Sequence, residues 1–456
     1  MPTRKPPRLD RFIEVLVLAI LIDLPIAFAG VGWHRRAPAI VAASVLAIAL
    51  AARAWRGPPP SDVAGRRLDV PLALWGLFAA SAAAQLLPVP ASWAAWLGAS
   101  ENFVPGRFAP THPAPDKAVV SLLTYGVAFT LYYAITRVYR SRGQMRRLIG
   151  VIIAVGAFEA FYGLVVWGSG SGEVLGHVKR AYVDVATGTF INRNHYAAYL
   201  AMTLCLAAAS AIDAIDRSSR RTKARDGVFE KAVIVGFVVM LGLGAMFAAG
   251  SRAAPICFAV AAGAIGFVYQ RDQLPKRIWP ALVVFSVCLF AFLIWIGVEP
   301  LNPRWAHLTE EARMADARPR VYAACVRVWS HAPIFGTGLG TFADAFAMYR
   351  PKEILAYYDH AHNDYLEMAI ETGIVGFALF YGGVVAVFRR TVKAVRDRQS
   401  RFARTRALGA LAGVLAIGLH GLVDFNLSVP ANLVTAFALL AIAVTVSERH
   451  LMESRT

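Results

Sequence analysis

Apolar stretches of about twenty residues, each long enough to cross a hydrocarbon core of about 30 Å, follow one another along most of the chain. They run over 12–32, 37–55, 70–87, 118–137, 148–168, 194–213, 232–250, 252–270, 278–298, 365–388, 407–424 and 430–447. The pattern predicts an all-α integral membrane protein of about twelve spans. Its one long polar interruption, 299–364, separates nine spans in 1–298 from three more in 365–456, and the two sets form one structural unit. Within that interruption Val321, Ala324, Cys325 and Val328 repeat at i, i+3, i+4 and i+7, which suits an amphipathic helix over Arg318–Ser330. Pro333 and the glycines of GTGLGT, Gly336 to Thr341, end it.

Composition agrees with a lipid environment. The chain is 57% hydrophobic and 17% charged with a mean hydropathy of +0.51, too apolar for a soluble domain of 456 residues. A net charge of +18 invites a nucleic-acid reading, but its distribution answers otherwise. With the N-terminus in the cytoplasm, 32 of the 47 Lys and Arg residues fall on the cytoplasmic side of the spans. The positive-inside rule therefore accounts for the basicity, with anionic lipid as a secondary partner, and both termini are expected in the cytoplasm. The first span, after Arg4, Lys5, Arg8 and Arg11, lacks a clear small-residue cleavage site and reads as a retained anchor. Cys205, Cys257 and Cys288 lie inside predicted spans and Cys325 stands alone, which leaves no disulfide or zinc pattern.

Chemistry concentrates where polar groups meet span ends. In YYDHAHNDYLEMAIETGIVG, Tyr357 to Gly376, the residues His360, His362, Asn363, Asp364, Glu367 and Glu371 run directly into an apolar helix. Polar groups at a span's mouth are costly unless used or paired. Asn192, Arg193, Asn194 and His195 begin the sixth span, Arg252 sits in the tight turn before the eighth, Arg318 lies in the long loop, and Asp424 and Asn426 close the eleventh. The charge-derived topology puts all of them on one side, away from the cytoplasm. Plainer readings stand beside this one. Arg193 alone suits snorkelling to headgroups, Glu367 and Glu371 suit helix capping, Asp424 with His420 suits an internal pair, and GTGLGT outside a strand-turn-helix unit suits a turn better than a nucleotide loop. A metal reading of His360, His362 and Asp364 stays open, without a spacing motif behind it.

The succession NRNHYAAYL, SRAAP, Arg318 before WSHAPIFGTGLGTF, HAHNDYLEMAIETGIVG and DFNLSVPAN resembles the O-antigen ligase and polysaccharide polymerase superfamily, over roughly 190 to 430. The resemblance implies a GT-C-like membrane glycosyltransferase of about twelve helices with a large periplasmic loop in the bacterial inner membrane. Its implied reaction moves a glycan from undecaprenyl diphosphate to an acceptor hydroxyl with inversion and without a metal or other cofactor. On that reading Arg193, Arg252 and Arg318 meet the diphosphate, since guanidinium pairs bidentately with phosphate oxygens. His362 is the base or orienting group, with Asp364 or Glu367 holding its ring, and His360 is the runner-up. Asn194, His195, His360 and Asn363 are expected to contact substrate. The acceptor is lipid A core for a ligase, another lipid-linked repeat unit for a polymerase, or a protein hydroxyl for an O-oligosaccharyltransferase. The NRNHYAAYL and DFNLSVPAN forms lean toward exopolysaccharide polymerases. A lipid-linked glycan transporter or flippase is the alternative from another class, though the polar groups gather at one face and no internal repeat is evident.

Overall fold

The computed structural model describes residues 8–56, 69–90, 108–110, 114–220, 226–270, 308–350, 354, 357–396 and 400–448. Helices account for nearly all of the regular structure there: α1 (Arg8–Ile26), α2 (Trp33–Arg56), α3 (Val70–Ala84), α4 (Pro115–Val138), α5 (Arg142–Ser169), α6 (Arg193–Arg220), α7 (Asp226–Ala248), α8 (Ala253–Gln270), α9 (Leu308–His331), α10 (Phe342–Tyr349), α11 (Asp364–Arg396), α12 (Arg401–His420) and α13 (Pro430–Glu448). Two short antiparallel pairs accompany them, Pro88–Pro90 with Phe108–Pro110 and Glu173–Val174 with His177–Val178. Among the described residues seven helices, namely α2, α4, α5, α6 over Arg193–Ala214, α11, α12 and α13, are long and apolar enough to cross a membrane. The protein is a multi-pass, all-α membrane protein.

Several expected spans take different bounds. The ninth, 278–298, lies outside the described residues. The first, expected to reach residue 32, ends at Ile26, because Pro25 is followed by Phe28 and Ala29 in the left-handed region at φ 55° and 59°. The eleventh, expected to reach residue 424, ends at His420, where the chain turns back over the start of α11. Part of the long interruption is helical: Leu308–His331 forms α9, whose Val321, Ala324, Cys325 and Val328 are buried against α10, α11 and neighbouring loops.

The core forms around α13, in which every residue from Pro430 to Ser447 is buried between α4, α11 and α12. Small residues allow this closeness. A side chain at Gly413 would meet the Met202 backbone of α6 at 2.8 Å, and one at Gly383 would meet the Trp75 indole at 2.4 Å. That indole instead donates its N–H to the Phe380 carbonyl at 3.0 Å, joining α3 to α11 inside a cluster with Phe78, Phe129 and Phe437. Outward-facing apolar residues such as Val41, Val45 and Ile48 on α2 complete a lipid-compatible exterior.

One helix break orients the polar end. At Gly373, φ 60°, α11 is interrupted, and the amides of Ile374 and Val375 go to the carbonyls of Pro333 and Ile334 at 2.8 and 3.1 Å. A Cβ at Gly373 would stand 2.2 Å from the Ile334 oxygen. From the other side, Thr337 and Gly338 donate their amides to Ile370 and Glu371 at 2.8 and 2.9 Å. The glycine-rich stretch is thus a turn docked into the break, which fixes α10 beside the first turns of α11.

Candidate functional site

The first turn of α11 organises the site. Asn363 caps it, its Oδ1 accepting the amides of Tyr365 and Leu366 at 3.0 and 3.1 Å while its Nδ2 donates to the Leu422 carbonyl at 2.9 Å. Asp364 then binds the loop between α12 and α13, taking the amides of Leu427 at 2.9 Å and Asn426 at 3.2 Å on its two oxygens. Its own amide goes to the Gly421 carbonyl at 2.8 Å, so DFNLS, Asp424 to Ser428, wraps the helix start. One turn on, Glu367 accepts His360 Nδ1 at 2.7 Å and the Ser428 hydroxyl at 2.9 Å on one oxygen, and the Ala361 amide at 2.9 Å on the other. A further turn on, Glu371 accepts the Phe342 amide at 3.0 Å, which anchors α10. Three buried carboxylates on one helix face therefore tie three separate loops to it.

His362 belongs to a different carboxylate. Its backbone is left-handed, φ 49°, and its carbonyl takes the Tyr322 hydroxyl of α9 at 2.9 Å. This turns the ring onto Asp424, whose Oδ1 lies 3.2 Å from His362 Nδ1. Asp364 and Glu367, expected to hold this ring, do not, because their oxygens are occupied by loop amides and by His360. The plainer pairing of Asp424 with His420 gives way to His362 as the direct contact, with His420 near enough to act on the same carboxylate. The Asp424 oxygen also accepts the Phe425 amide at 2.9 Å, and His195 Nε2 stands 3.8 Å from it. Burial works to raise the Asp424 carboxyl, and the His195 and His362 imidazoles beside it hold it well below the ordinary carboxylate range. Asp424 thus meets His362 as a carboxylate, accepting the Nδ1 proton and leaving Nε2 directed elsewhere.

Phe425 gathers the histidines. His360 stacks on it with centroids 4.0 Å apart, and His195 and His362 approach edge-on at 4.5 and 4.9 Å. His360 is half-buried, and burial alone would depress its imidazole. The facing Glu367 carboxylate outweighs that and lifts it to about 9, so it is an imidazolium at neutral pH. The two nearby histidines are therefore chemically distinct: a cation held by Glu367, and a ring oriented by Asp424.

A cavity of about 430 Å³ opens beside this cluster, lined by His195, His360, Glu367, Glu371 and Phe425 together with Arg36, Asn192 and Tyr125. Of the expected residues, His195, His360 and Glu367 reach its wall. His362, Asn363 and Asp364 lie in the adjoining loop layer. Asn192 caps α6 through its Oδ1 and the Asn194 amide at 2.8 Å, placing Arg193 with its guanidinium 5.6 Å from the Tyr182 ring and near the Gly250 turn. Arg252 is exposed two residues beyond that turn, and Arg318 lies one helical turn before Tyr322 on α9. None of these three arginines lines the cavity. Among the described residues no group of three or more His, Cys, Asp and Glu side chains is arranged to hold a metal ion.

Arg36 was missed in the sequence. Its signal was the pair Arg35 and Arg36 at the outer end of the second expected span, where positive charge runs against the topology rule.

No curated protein matches the chain. Residues 237–381 match the family model described as O-antigen ligase, a stretch that holds Arg252, Arg318 and the whole turn from His360 to Glu371. This match, together with the helical membrane fold, supports membership of the O-antigen ligase superfamily.

Proposed function

We propose that the protein is a membrane glycosyltransferase of O-antigen ligase or polymerase type. It moves a glycan from undecaprenyl diphosphate to an acceptor hydroxyl at the periplasmic face of the bacterial inner membrane. The observation that carries this reading is the His362 and Asp424 pair at 3.2 Å, packed through Phe425 against a cavity whose wall holds the cationic His360. In the proposed step the acceptor oxygen attacks the anomeric carbon, its proton passes to His362 Nε2, and the bond from that carbon to the diphosphate oxygen breaks. One displacement inverts the anomeric centre, and undecaprenyl diphosphate departs. Asp424 keeps the imidazole in the required tautomer and stabilises the imidazolium that forms.

Negative charge grows on the departing diphosphate, and fixed cations meet it without reorganising. Arg193, Arg252 and Arg318 take that role, with the His360 imidazolium at the cavity wall. Charge supplied this way requires no metal ion and no other cofactor. Asn194 and His195 lie on the donor side, and Asn363 shapes the acceptor side through the turn it caps. Twelve spans, cytoplasmic termini and a periplasmic 299–364 loop complete the arrangement, with the bilayer, the lipid-linked glycan and its acceptor as partners.

The acceptor distinguishes ligase, polymerase and protein glycosylation within one chemistry. Purified protein is given lipid-linked repeat units alone. Chain growth identifies a polymerase, and strict dependence on added lipid A core or on an acceptor protein identifies the other two. Release of undecaprenyl diphosphate under none of these conditions overturns the proposed reaction. Arg193→Lys and Arg252→Lys are expected to lose most transfer despite the kept charge, because bidentate geometry goes; near-normal rates would remove the diphosphate role.

A further inference from the structure

Arg36 stands apart from the residues assigned above and lines the same cavity as His360. Its placement is built by an unusual loop. Phe28, Ala29 and Gly30 are left-handed in succession, at φ 55°, 59° and 71°, and Gly32 follows at φ 92°. Two adjacent non-glycine residues in that region are uncommon and strained, and such strain persists where surrounding structure enforces it. Here a Cβ at Gly30 would meet Pro430 of α13 at 3.0 Å, so the loop is pressed against the central helix. The strained turn presents the Gly30 carbonyl to Arg36 Nε at 3.2 Å, and Arg35 covers the Phe28 ring at 3.7 Å.

The guanidinium is half-buried and only partly engaged. Besides Gly30, one Nη1 hydrogen goes to the Thr124 hydroxyl at 3.4 Å, and that hydroxyl donates onward to the Val120 carbonyl at 2.8 Å. Three of the five N–H donors of the fork are left without a partner among the described residues. No carboxylate neutralises it there. Of the three acids lining the same cavity, Glu367 takes donors from His360, Ala361 and Ser428, Glu371 takes the Phe342 amide, and Asp359 bears on the neighbouring His360. A preoriented, uncompensated fork at a cavity wall, at the N-terminal end of a helix, is suited to an oxyanion with two accessible oxygens.

Resting on the glycan-transfer reading, we propose that Arg36 binds an oxyanion of the substrate in this cavity, either a phosphate of the lipid diphosphate or a carboxylate of an acidic sugar. The test measures binding to the purified full-length protein with farnesyl diphosphate, farnesol and a glucuronate-bearing tetrasaccharide as probes. In Arg36→Met, a loss of about tenfold or more for farnesyl diphosphate, with farnesol unchanged, places the phosphate at Arg36. The same loss confined to the tetrasaccharide places the carboxylate there. Unchanged affinity for both probes overturns the proposal while the glycan-transfer reading stands. Wild-type protein that prefers neither probe to farnesol removes the lipid-diphosphate reading, and the Arg36 role with it. If Arg36→Met does not fold, Arg36→Lys carries the test, since it keeps the charge without the fork: a loss of roughly threefold or more supports the assignment and wild-type affinity overturns it.

Discussion

Asp424 Oδ1 lies 3.2 Å from His362 Nδ1, although 62 positions separate the two residues. Asp424 is 1% exposed, while the His362 side chain keeps 32% of its surface open. A buried carboxylate behind a partly open imidazole is an orienting pair, and its removal should affect turnover more than binding. Asp424→Asn is expected to lower kcat by on the order of 10²- to 10⁴-fold with KM little changed. Steady-state kinetics on purified protein measure this, and kcat within about threefold of wild type would dissociate Asp424 from the reaction.

His360 supplies a pH signature. Its folded value of about 9 lies above the ordinary 6.5 because Glu367 opposes the depression from burial. The ion pair's stabilisation is therefore complete below pH 6.5 and lost as pH rises through about 9. Transfer should fall over the upper part of that window as the imidazolium loses its proton. In His360→Gln the rate at pH 7 should already be low and the fall near pH 9 absent. A wild-type profile that stays flat through pH 9 would show that the cation is not used.

Asp364 makes a contrasting prediction, since both its oxygens serve loop amides. Asp364→Ala leaves the Asn426 and Leu427 amides without their partner, at about 1–3 kcal/mol for each group that stays buried and unsatisfied. Thermal unfolding should shift down and proteolysis within 421–429 should quicken. Full stability combined with lost transfer would instead make Asp364 a participant in the chemistry.

Gly373 tests how the polar end is held. A methyl group there would stand 2.2 Å from the Ile334 oxygen on a backbone at φ 60°. Gly373→Ala should cost about 2–3 kcal/mol and lower the melting temperature, because α11 can no longer break where the glycine-rich turn docks. A melting temperature equal to wild type would mean that this docking is dispensable.

The lipid-crossing helices were legible because their apolar runs are long, but hydropathy could not rank them. Every residue from Pro430 to Ser447 is buried by protein, whereas Val41, Val45 and Ile48 face outward, and both settings are apolar. The histidine and acid cluster was legible as a cluster, from density alone. Its wiring was not: helical spacing draws attention to Asp364 and Glu367, near His362 in sequence, while the ring's partner comes from the loop after α12. The loop amides of Asn426 and Leu427 consumed Asp364, and His360 consumed Glu367, leaving the distant Asp424. Arg36 was hidden for another reason. A charge at a span end carries no sign of whether it points to headgroups or into a cavity, and only the left-handed loop behind it decides.

The central claim is that His362 accepts the acceptor's proton during glycan transfer from a lipid diphosphate. The most direct measurement compares His362→Ala with wild type for two quantities in the same preparation, donor affinity and the single-turnover rate of transfer. The account predicts unchanged donor affinity with a rate lower by on the order of 10²- to 10⁴-fold. A transfer rate close to wild type would contradict it.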